Sequence, residues 1–337
     1  MKVFVAEPMD GLEHALQPLK AAGHELVLGP PVSRFSAGYG EERLIELCRD
    51  ADAFIGVERE KVTPAVLDAA ARLRVVSKFG SGVDNIDVAA ATRNGIIVAN
   101  APMHTVTVAE YTVGVMLAVL RKIPRTMQGL LDGNWRDASA MGSELYKKTV
   151  GIAGFGAIGK AVCKRLQGWD ARILAYDPAL DASVAAELGA EAVSWEMLFS
   201  EADIVSLHMP LLETTRGIVG GNEFGLMRNH AVLINTSRGP VVDERALVEA
   251  LEKGEIGGAG LDVFASEPLP PGSPLRAMPN VVLTPHVAGY TGESLLRIAL
   301  QTTRNCLQAL GGDVPDYVVN GDVIPHWKKR FGAERHL

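Results

Sequence analysis

Residues Val150 to Gly159 read VGIAGFGAIG and decide the fold, because they join an apolar strand to a helix through a glycine turn. Gly154, Gly156 and Gly159 stand in G-x-G-x-x-G spacing. In such a turn the first glycine permits the tight bend, the second lets the backbone approach a pyrophosphate, and the third lets helix and strand pack closely. The N-terminus of the helix attracts the anionic phosphates. The stretch therefore predicts a dinucleotide site.

An acidic residue follows where a dinucleotide-binding fold needs one. Asp177 comes directly after the apolar run Arg172–Tyr176, eighteen residues after Gly159. A carboxylate at the tip of the second strand accepts hydrogen bonds from the adenosine ribose and repels a 2′-phosphate. We therefore expect the cofactor to be NAD rather than NADP. The turn residues expected to contact it are Gly154, Phe155, Gly156, Ala157, Ile158 and Gly159.

The composition is that of a globular α/β protein. The chain has 337 residues, of which 47% are hydrophobic and 22% charged, and it includes 35 glycines. This length suggests two domains of roughly 150 residues each. The net charge of −7 argues against a nucleic-acid partner. Three cysteines, far apart in the chain, predict neither a disulfide framework nor a metal site.

The apolar stretches are too short to cross a membrane. The longest, Tyr111 to Leu120, is about half of a membrane span. The N-terminal sequence shows no secretory signal. We therefore expect a cytoplasmic protein with no membrane partner and no bound metal.

Two series of alternating strands and helices predict two doubly wound parallel sheets with helices on both faces. In the first series the predicted strands are Lys2–Ala6, Glu25–Leu28, Ala53–Val57, Leu73–Ser77 and Ile96–Ala99. Its predicted helices are Gly11–Ala22, Glu41–Cys48, Pro64–Ala70 and Val88–Asn94. The second series begins at Thr149 and continues with strands near 172–176, 203–207, 231–235, 258–261 and 281–284.

Two helical segments, near 101–122 and 291–310, would connect the series. Val106–Leu120 is apolar apart from Glu110, which predicts a buried helix, either a spine between domains or a dimer contact. If the C-terminus returns to the first series, the chain forms a discontinuous domain of residues 1–100 and 291–337 and a continuous domain of residues 101–290. We expect NAD at the switch point of 101–290, with a cleft between the domains. The basic segment 326–330 is interpreted as a solvated tail.

Three chemically useful side chains follow successive strands of the second series, namely Arg238, Glu267 and His286. Ligands bind at the carboxyl ends of parallel strands, so these side chains are expected to meet. An imidazolium can deliver a proton to the alkoxide formed from a 2-keto acid, and a paired carboxylate would raise its pKa. A guanidinium can hold carboxylate and keto oxygens in a planar fork. Taken singly, the three also fit a surface arginine, a solvated loop acid and a helix-capping histidine.

The runs GFGAIG, NTSRGPVVDE, GLDVFASEPLP and TPHVAGYT resemble those of the D-isomer-specific 2-hydroxyacid dehydrogenase family, in order and spacing. The runs LRVVSKFGSGVDNID and APMHTVTVAEYTVGVMLAVLRKIP extend the likeness over nearly the whole chain. The resemblance implies a Rossmann NAD-binding domain and a flavodoxin-like substrate domain. It also implies that Arg238 binds the substrate, that His286 is the acid/base, and that Glu267 pairs with His286.

Further residues are assigned by the same resemblance. The backbone around Ser81 and Gly82 is expected to bind the substrate carboxylate, as glycine-flanked N–H groups can, with Lys78 nearby. His208 and Pro210 are expected on the adenine side, although His208 also fits a buried histidine at a strand end. Thr215, Thr236 and Asp262 are expected to contact ribose or nicotinamide. Thr107 is expected to reach the cofactor from the linking helix, and Gly289 is a further expected cofactor-binding residue.

The likeness is nearest to the branch that includes 3-phosphoglycerate dehydrogenases and hydroxypyruvate reductases. Phosphoglycerate enzymes typically carry arginines where this chain has Val57 and Lys78. A phosphate dianion needs several charge-assisted donors, so the loss of one cation favours an unphosphorylated substrate. Arg59 or Lys61 could supply a replacement cation. We expect a small 2-keto or 2-hydroxy acid, such as hydroxypyruvate or glyoxylate, bound by a homodimer.

Other readings stay open. A 3-phosphoglycerate dehydrogenase or a phosphite-type dehydrogenase would keep the same Arg, Glu and His. Formate dehydrogenases of this superfamily have Gln where Glu267 stands, so Glu267 argues against formate. An NADH-sensing, corepressor-like binding protein would retain all three residues without catalysis.

Overall fold

The computed structural model describes residues 1–6, 8, 11–29, 38–57, 60–136 and 138–332. The chain folds into two compact units. The first unit is Met1–His104 with Thr291–Leu337, and the second is Thr105–Tyr290. The first segment of the discontinuous unit thus ends at residue 104, whereas the sequence predicted that it ends at residue 100. Arg59 lies outside the described residues.

The strands form two sheets in which all neighbouring strands are parallel. Those of the first unit are β1 (Lys2–Val5), β2 (Glu25–Leu28), β3 (Ala53–Val57), β4 (Val75–Lys78) and β5 (Ile97–Ala99). Those of the second unit are β6 (Thr149–Ala153), β7 (Arg172–Tyr176), β8 (Ala190–Ala192), β9 (Ile204–Leu207), β10 (Val232–Asn235), β11 (Gly258–Leu261) and β12 (Val281–Leu283).

The strand orders confirm the predicted fold class. Among the described residues the first sheet runs β2-β1-β3-β4-β5, the flavodoxin-like doubly wound order. The second runs β12-β11-β10-β9-β6-β7-β8, which is the Rossmann order with a further strand at one edge. The strand order reverses between β6 and β9, so the switch point of the second sheet lies at the end of β6.

Helices separate most of these strands. They are α1 (Gln17–Ala21), α2 (Glu41–Cys48), α3 (Pro64–Ala69), α4 (Val88–Arg93), α5 (Thr105–Leu120), α6 (Ile123–Leu131), α7 (Ala157–Leu166), α8 (Ala182–Glu187), α9 (Trp195–Glu201), α10 (Gly221–Leu226), α11 (Glu244–Lys253), α12 (Gly292–Leu310) and α13 (Ile324–Phe331). None of the helices in the described ranges is long and apolar enough to cross a membrane.

Each sheet has a hydrophobic core on both faces. In the first unit Phe4 and Phe54 belong to one core, whereas Val3 and Ile55 belong to the other. The second unit has the same alternation, with Val205 on one side and Ile204 on the other. Strands covered on both faces need apolar residues at every position. This requirement explains why most of the strand sequences are largely apolar.

Helix α5 is largely buried within the second unit, as its apolar sequence predicts. It packs against β10, β11, β12 and α7. Its buried residues are Thr107, Val108, Ala109, Thr112, Val115, Met116 and Leu120. Val106 and Glu110 are exposed. Helix α5 therefore packs within the second unit, and its part in a dimer contact stays a prediction.

The prediction of a solvated tail at residues 326–330 is wrong. These residues form part of α13, and the Trp327 side chain is completely buried in the core that contains Val3 and Ile97. The Nε1 atom of Trp327 donates a hydrogen bond to Arg74 O at 2.8 Å. The flanking residues Lys328 and Lys329 face solvent, as their charge requires.

The segment predicted as one helix over Gly11–Ala22 is also different. A 3-10 turn at Glu13–Leu16 precedes the short α1, which has Pro18 in its first turn. Proline lacks the N–H group that a continuous helix would use at that point. The apolar residues of the segment still reach the core through Ala15 and Leu19.

Candidate active site

The glycine turn between β6 and α7 has the geometry that a dinucleotide needs. Gly154 has φ of 93°, and a Cβ atom there would lie 2.7 Å from His208 C and Met209 N. A Cβ atom on Gly159 would overlap the carbonyl oxygen of Gly154. A Cβ atom on Gly156, in contrast, would meet no atom within 4 Å. The first and third glycines are thus required by packing, whereas the second leaves open space beside the start of α7.

The first turn of α7 offers uncapped backbone donors at this place. The helix begins at Ala157, and its N-cap residue Gly156 has no side chain to bond the exposed N–H groups. Ile158 lies in this first turn, while Phe155 is buried in the core. Free N–H groups and the positive end of a helix dipole bind phosphate oxygens. The residues present therefore fit the pyrophosphate of NAD.

Asp177 lies against this turn. Its Oδ2 atom accepts a hydrogen bond from Phe155 N at 3.0 Å, and its Oδ1 atom accepts one from Ala179 N at 3.0 Å. The carboxylate is thus fixed at the tip of β7, directly beside the glycine turn. A negative charge at this point disfavours a cofactor that carries a 2′-phosphate.

His208 follows the neighbouring strand β9 and is uncharged at neutral pH. Its Nε2 atom lies 2.8 Å from Ser206 Oγ, while its Nδ1 atom is buried with no hydrogen-bond partner among the described residues. Burial lowers the pKa of His208 to about 4. The backbone of His208 lies beside Gly154, so the residue borders the glycine turn, and its expected place on the adenine side of the cofactor stays a prediction.

Among the other residues expected at the cofactor, Thr215 and Thr236 are held by local hydrogen bonds. Thr215 Oγ1 donates to Pro210 O at 2.7 Å and accepts from Leu212 N at 2.8 Å, which fixes the turn after β9. Thr236 Oγ1 lies 2.8 Å from Thr112 Oγ1 of α5. Thr107 is buried in α5, and Gly289 lies in the loop after β12. Direct contacts of these side chains with NAD stay predictions.

The structure brings His286 and Glu267 together. His286 Nδ1 lies 2.7 Å from Glu267 Oε2, and the other carboxylate oxygen accepts a hydrogen bond from Phe264 N at 3.0 Å. The imidazole is 48% exposed and the carboxylate 36%. The Nε2 atom of His286 is bonded to no described residue, which leaves it free to exchange a proton with a ligand.

Electrostatics set the charge of this pair. The hydrogen bond with Glu267 raises the pKa of His286 above its ordinary value, although burial and the charge of Arg238 act in the opposite direction. Burial acts to raise the pKa of Glu267. The hydrogen bond and charge of His286 lower this pKa by more, and the net result is a pKa below its usual range. The arrangement therefore favours an imidazolium paired with a carboxylate.

Asp262 fixes the loop that carries His286. Its carboxylate accepts hydrogen bonds from Thr284 Oγ1 at 2.6 Å, from Val287 N at 2.9 Å and from Ala288 N at 2.8 Å. His286 itself has φ of 54°, in the left-handed region that few non-glycine residues adopt. Its N–H group donates to Asp262 O at 2.8 Å. Asp262 therefore stabilises the backbone conformation that aims the imidazole at Glu267.

Burial raises the pKa of Asp262, against the lowering effect of its hydrogen bonds and of His286. From the sequence, Asp262 was expected beside the cofactor, and its bonding to the histidine loop was missed. Thr284 was missed altogether. The available signal was position alone, because Asp262 follows β11 and Thr284 follows β12, two adjacent parallel strands that end at the same edge.

Arg238 is presented by a turn after β10 that a buried amide shapes. Asn235 Nδ2 donates to Arg238 O at 3.0 Å, and Asn235 Oδ1 accepts from Ser237 N at 3.0 Å. A Cβ atom on Gly239 would overlap the carbonyl of Phe264. The absence of a side chain at Gly239 thus lets the Arg238 turn approach the loop that carries Glu267. The charge of Arg238 lowers the pKa of both Glu267 and His286, which places the three groups in one electrostatic cluster.

The residues expected at the substrate carboxylate lie in the first unit. Lys78 is the last residue of β4 and is buried, with 6% of its surface exposed. Ser81 and Gly82 follow in the loop after β4 and are half-buried. Ser81 Oγ lies 3.3 Å from the Nε2 atom of His104, a residue that was not predicted to take part in the site.

In the described part of the chain, no group of three or more His, Cys, Asp or Glu side chains has the arrangement of a metal site. The three cysteines are buried and unpaired by disulfides. Burial raises the pKa of Cys163 to about 11, so this thiol stays protonated.

Comparison with known proteins shows which family this chain resembles. The family model described as "D-isomer specific 2-hydroxyacid dehydrogenase, NAD binding domain" matches residues 113–288. A D-3-phosphoglycerate dehydrogenase of Methanocaldococcus jannaschii is 39% identical over 97% of this chain, which spans 61% of that protein's length. A glyoxylate reductase of Korarchaeum cryptofilum is 40% identical over 83% of this chain and 86% of its own.

A solved structure shows the same architecture over both units. The TT0316 protein from Thermus thermophilus is 34% identical, with a TM-score of 0.86, and the match covers 95% of this chain and 100% of that one. The family match and the identity to full-length relatives cover the glycine turn, the acid after β7 and the three strand-end side chains. The chain therefore belongs to the D-isomer specific 2-hydroxyacid dehydrogenase family, and its second unit contains the NAD-binding domain of that family.

Proposed function

We propose that this protein interconverts a small, unphosphorylated 2-keto acid and its D-2-hydroxy acid with NAD. The observation that carries the proposal is the His286–Glu267 pair at 2.7 Å, held at a strand end by Asp262 in the unit that binds the dinucleotide. A hydroxyl or keto oxygen gains or loses a proton in this reaction, and a paired imidazole is suited to that transfer.

NADH, when bound, supplies the hydride that reduces the keto carbon. His286 donates its Nε2 proton to the oxygen of the same carbonyl, while Glu267 holds the Nδ1–H group and stabilises the positive charge. In the oxidative direction His286 accepts the hydroxyl proton. We assign Arg238 to the keto and carboxylate oxygens, because a guanidinium offers two parallel donors to such a pair.

The pKa of His286 gives the reaction a pH dependence of known sign. Reduction requires the protonated imidazole and oxidation the neutral one. Because Glu267 raises the pKa of His286, reduction should stay efficient to a higher pH than an ordinary histidine would allow. The rates of reduction and oxidation should then change in opposite directions as the pH crosses this pKa.

Charge near the first unit's strand ends favours a substrate without phosphate. Val57 ends β3 where phosphoglycerate enzymes of this family typically have arginine, and Lys61 is exposed. Of Lys61 and Lys78, only Lys78 is buried, and it comes directly before the loop that contains Ser81. A phosphate dianion requires more donors than one lysine provides. We therefore place hydroxypyruvate and glyoxylate ahead of 3-phosphohydroxypyruvate.

The second candidate activity is that of a 3-phosphoglycerate dehydrogenase, because a relative of that name is 39% identical over almost the whole chain. Initial rates with NADH and a panel of glyoxylate, hydroxypyruvate, pyruvate and 3-phosphohydroxypyruvate distinguish the two. A much higher kcat/KM for the phosphorylated acid would reject our preferred substrate. Phosphite oxidation with NAD belongs in the same panel.

A test of His286 separates an enzyme from an NADH-sensing binding protein. His286→Ala should abolish turnover of the best 2-keto acid while the Kd for NADH changes little, because the imidazole acts on the substrate. A wild-type protein that binds NADH but turns over no acid in the panel would instead favour the sensor.

We also propose that the protein is a homodimer and that α6 forms the contact. Helix α6 has no buried residue, although its apolar side chains recur on one face with helical spacing. These exposed side chains are Ile123, Met127, Leu130 and Leu131, and Trp135 follows at 84% exposure. Exposed apolar side chains clustered on one helix face are typical of an interface, and a second copy presents an identical apolar face.

A further inference from the structure

The loop after β4 has its carbonyl oxygens tied back to the protein. Gly80 O accepts a hydrogen bond from Ala101 N at 2.8 Å, and Ser81 O accepts one from Asn100 Nδ2 at 2.8 Å. Gly80 adopts φ of 97°, which a residue with a side chain rarely does. The N–H groups of Ser81 and Gly82 donate to no other residue that the structure describes. The loop therefore offers two adjacent backbone donors to a ligand.

Buried amides make this loop rigid. Asn305 of α12 is completely buried, and its Nδ2 atom donates to Asn100 O at 2.8 Å. The Oδ1 atom of Asn305 accepts from Gln301 Nε2 at 2.9 Å. Asn100 is thus held at its carbonyl by α12 while its side chain holds Ser81. A donor pair fixed in this way binds an anion without first having to be ordered.

A histidine that the proposed mechanism does not use lies at the same loop. His104 Nε2 is 3.3 Å from Ser81 Oγ, and both residues are half-buried. A serine hydroxyl has one proton and two acceptor positions. If the imidazole donates its Nε2–H to Ser81 Oγ, the hydroxyl proton is left for another acceptor. The loop then presents three donors, namely two N–H groups and one O–H group.

We infer that His104 is a positioning residue for substrate binding, which orients the Ser81 hydroxyl as a third donor to the substrate carboxylate. The inference rests on the proposed function, in which this loop binds that carboxylate. A carboxylate oxygen accepts a short, charge-assisted bond from a hydroxyl, which is about twice as strong as a neutral one. The ligand class follows from the donors: a planar carboxylate binds well, whereas the corresponding amide or ester binds poorly.

The first experiment measures kcat and KM for the best 2-keto acid with saturating NADH. His104→Ala should raise KM about tenfold, because one hydrogen bond to a charged group contributes this much, and should leave kcat within about twofold. His104→Gln should restore most of the affinity, because its Nε2 amide donor replaces the imidazole N–H. The matched control is His14→Ala, at an exposed histidine of the same unit.

A double-mutant cycle tests whether His104 acts through Ser81. Ser81→Ala alone should also raise KM about tenfold, and the double variant should show about the same increase rather than a hundredfold one. Fully multiplicative effects would overturn the inference, as would a KM within twofold of wild type in His104→Ala. Thermal unfolding of each variant shows that the unit folds, and His104→Phe, which keeps a ring but has no donor and should also raise KM about tenfold, carries the test if His104→Ala does not fold.

Binding of oxamate, an unreactive carboxylate analogue, to the NADH complex separates this inference from the proposed function. Weaker oxamate binding in His104→Ala than in wild type supports the inference. Equal oxamate binding in an active wild type and in His104→Ala overturns the inference alone. A wild type that neither binds oxamate nor turns over a 2-keto acid overturns both.

Discussion

The Nδ1 atom of His286 and the Oε2 atom of Glu267 lie 2.7 Å apart, and this hydrogen bond leaves the opposite edge of the imidazole free. The bond selects the tautomer with its proton on Nδ1 when the ring is neutral, so that Nε2 becomes the acceptor. Protonation of Nε2 then gives an imidazolium that Glu267 stabilises. Both protonation states required for a reversible reaction are thus produced by one contact.

Replacing Glu267 should shift the pH profile. In Glu267→Gln the negative charge that raises the pKa of His286 is removed, so the imidazolium is lost at a lower pH. The limb of kcat/KM for keto-acid reduction that falls with rising pH should therefore move to lower pH. The rise of hydroxy-acid oxidation should move in the same direction. Profiles identical to those of wild type, with Glu249→Gln as the control on an exposed helix face, would contradict the proposed pairing.

Asp262→Asn should damage the histidine loop. The variant places an NH2 group against either Val287 N–H or Ala288 N–H, both of which now donate to the carboxylate. We expect the free energy of unfolding to fall by about 1–3 kcal/mol, the effect of leaving a buried donor unpaired. The value of kcat should fall more than the affinity for NADH. Asp243→Asn, which exchanges one good N-cap of α11 for another, is the control for calorimetry and kinetics.

Two glycines of the turn should respond differently to alanine. Gly159→Ala should lower Tm, because the added methyl group overlaps the carbonyl of Gly154. Gly156→Ala should leave Tm close to wild type, because its methyl group meets no protein atom within 4 Å. The same methyl group should weaken NADH binding, because it fills the space that the phosphates are expected to approach. Calorimetry and a fluorescence titration with NADH give both quantities. Equal NADH affinity in Gly156→Ala and wild type would argue against the assigned phosphate site.

Cofactor choice should depend on Asp177. Asp177→Ser removes the charge fixed at the tip of β7, so kcat/KM with NADPH should rise. The Kd for NADH should increase about tenfold for each ribose hydrogen bond that is lost. Asp181→Asn, at the N-cap of α8 a few residues away, should leave the NADH to NADPH ratio unchanged. A constant ratio in both variants would reject the role of Asp177.

The apolar face of α6 gives a test of assembly. Met127→Asp with Leu131→Asp should convert a dimer to a monomer in sedimentation experiments, because two charges would have to be buried at the contact. Val106→Asp, at an exposed position of α5, is the control and should not change the mass. A monomeric wild type would refute the proposed contact.

Local sequence patterns were sufficient for most strands. The predicted bounds of Glu25–Leu28, Ala53–Val57 and Gly258–Leu261 equal the observed ones, because polar or turn-forming residues flank each of these short segments. Strand β8 was not predicted, because its three residues include the exposed Glu191 and give no apolar run. Trp327 was missed since charged neighbours surround it, and only the tertiary fold brings it to the core.

The sequence was sufficient to predict several residues of the candidate site but not the hydrogen bonds that hold them. Residue type and strand-end position identified His286, Glu267 and the glycine turn, since parallel strands bring their ends to one edge. The bonds from Asp262 to Val287 N and Ala288 N were not predictable. They depend on the left-handed backbone at His286, which neither a histidine nor its neighbours encode. The Ser81–His104 contact joins positions far apart in the chain and likewise needed coordinates.

Burial of Trp327 among Val3, Val5 and Ile97 has a consequence for biosynthesis. The strands β1 to β5 precede α12 and α13 in the chain, so one face of their sheet, which Leu19 of α1 covers only in part, is completed after those helices have been translated. The intervening Rossmann unit has its complete sequence earlier and can fold while the ribosome still holds the C-terminal helices. The first unit therefore completes its core only after the unit inserted within its sequence has been translated.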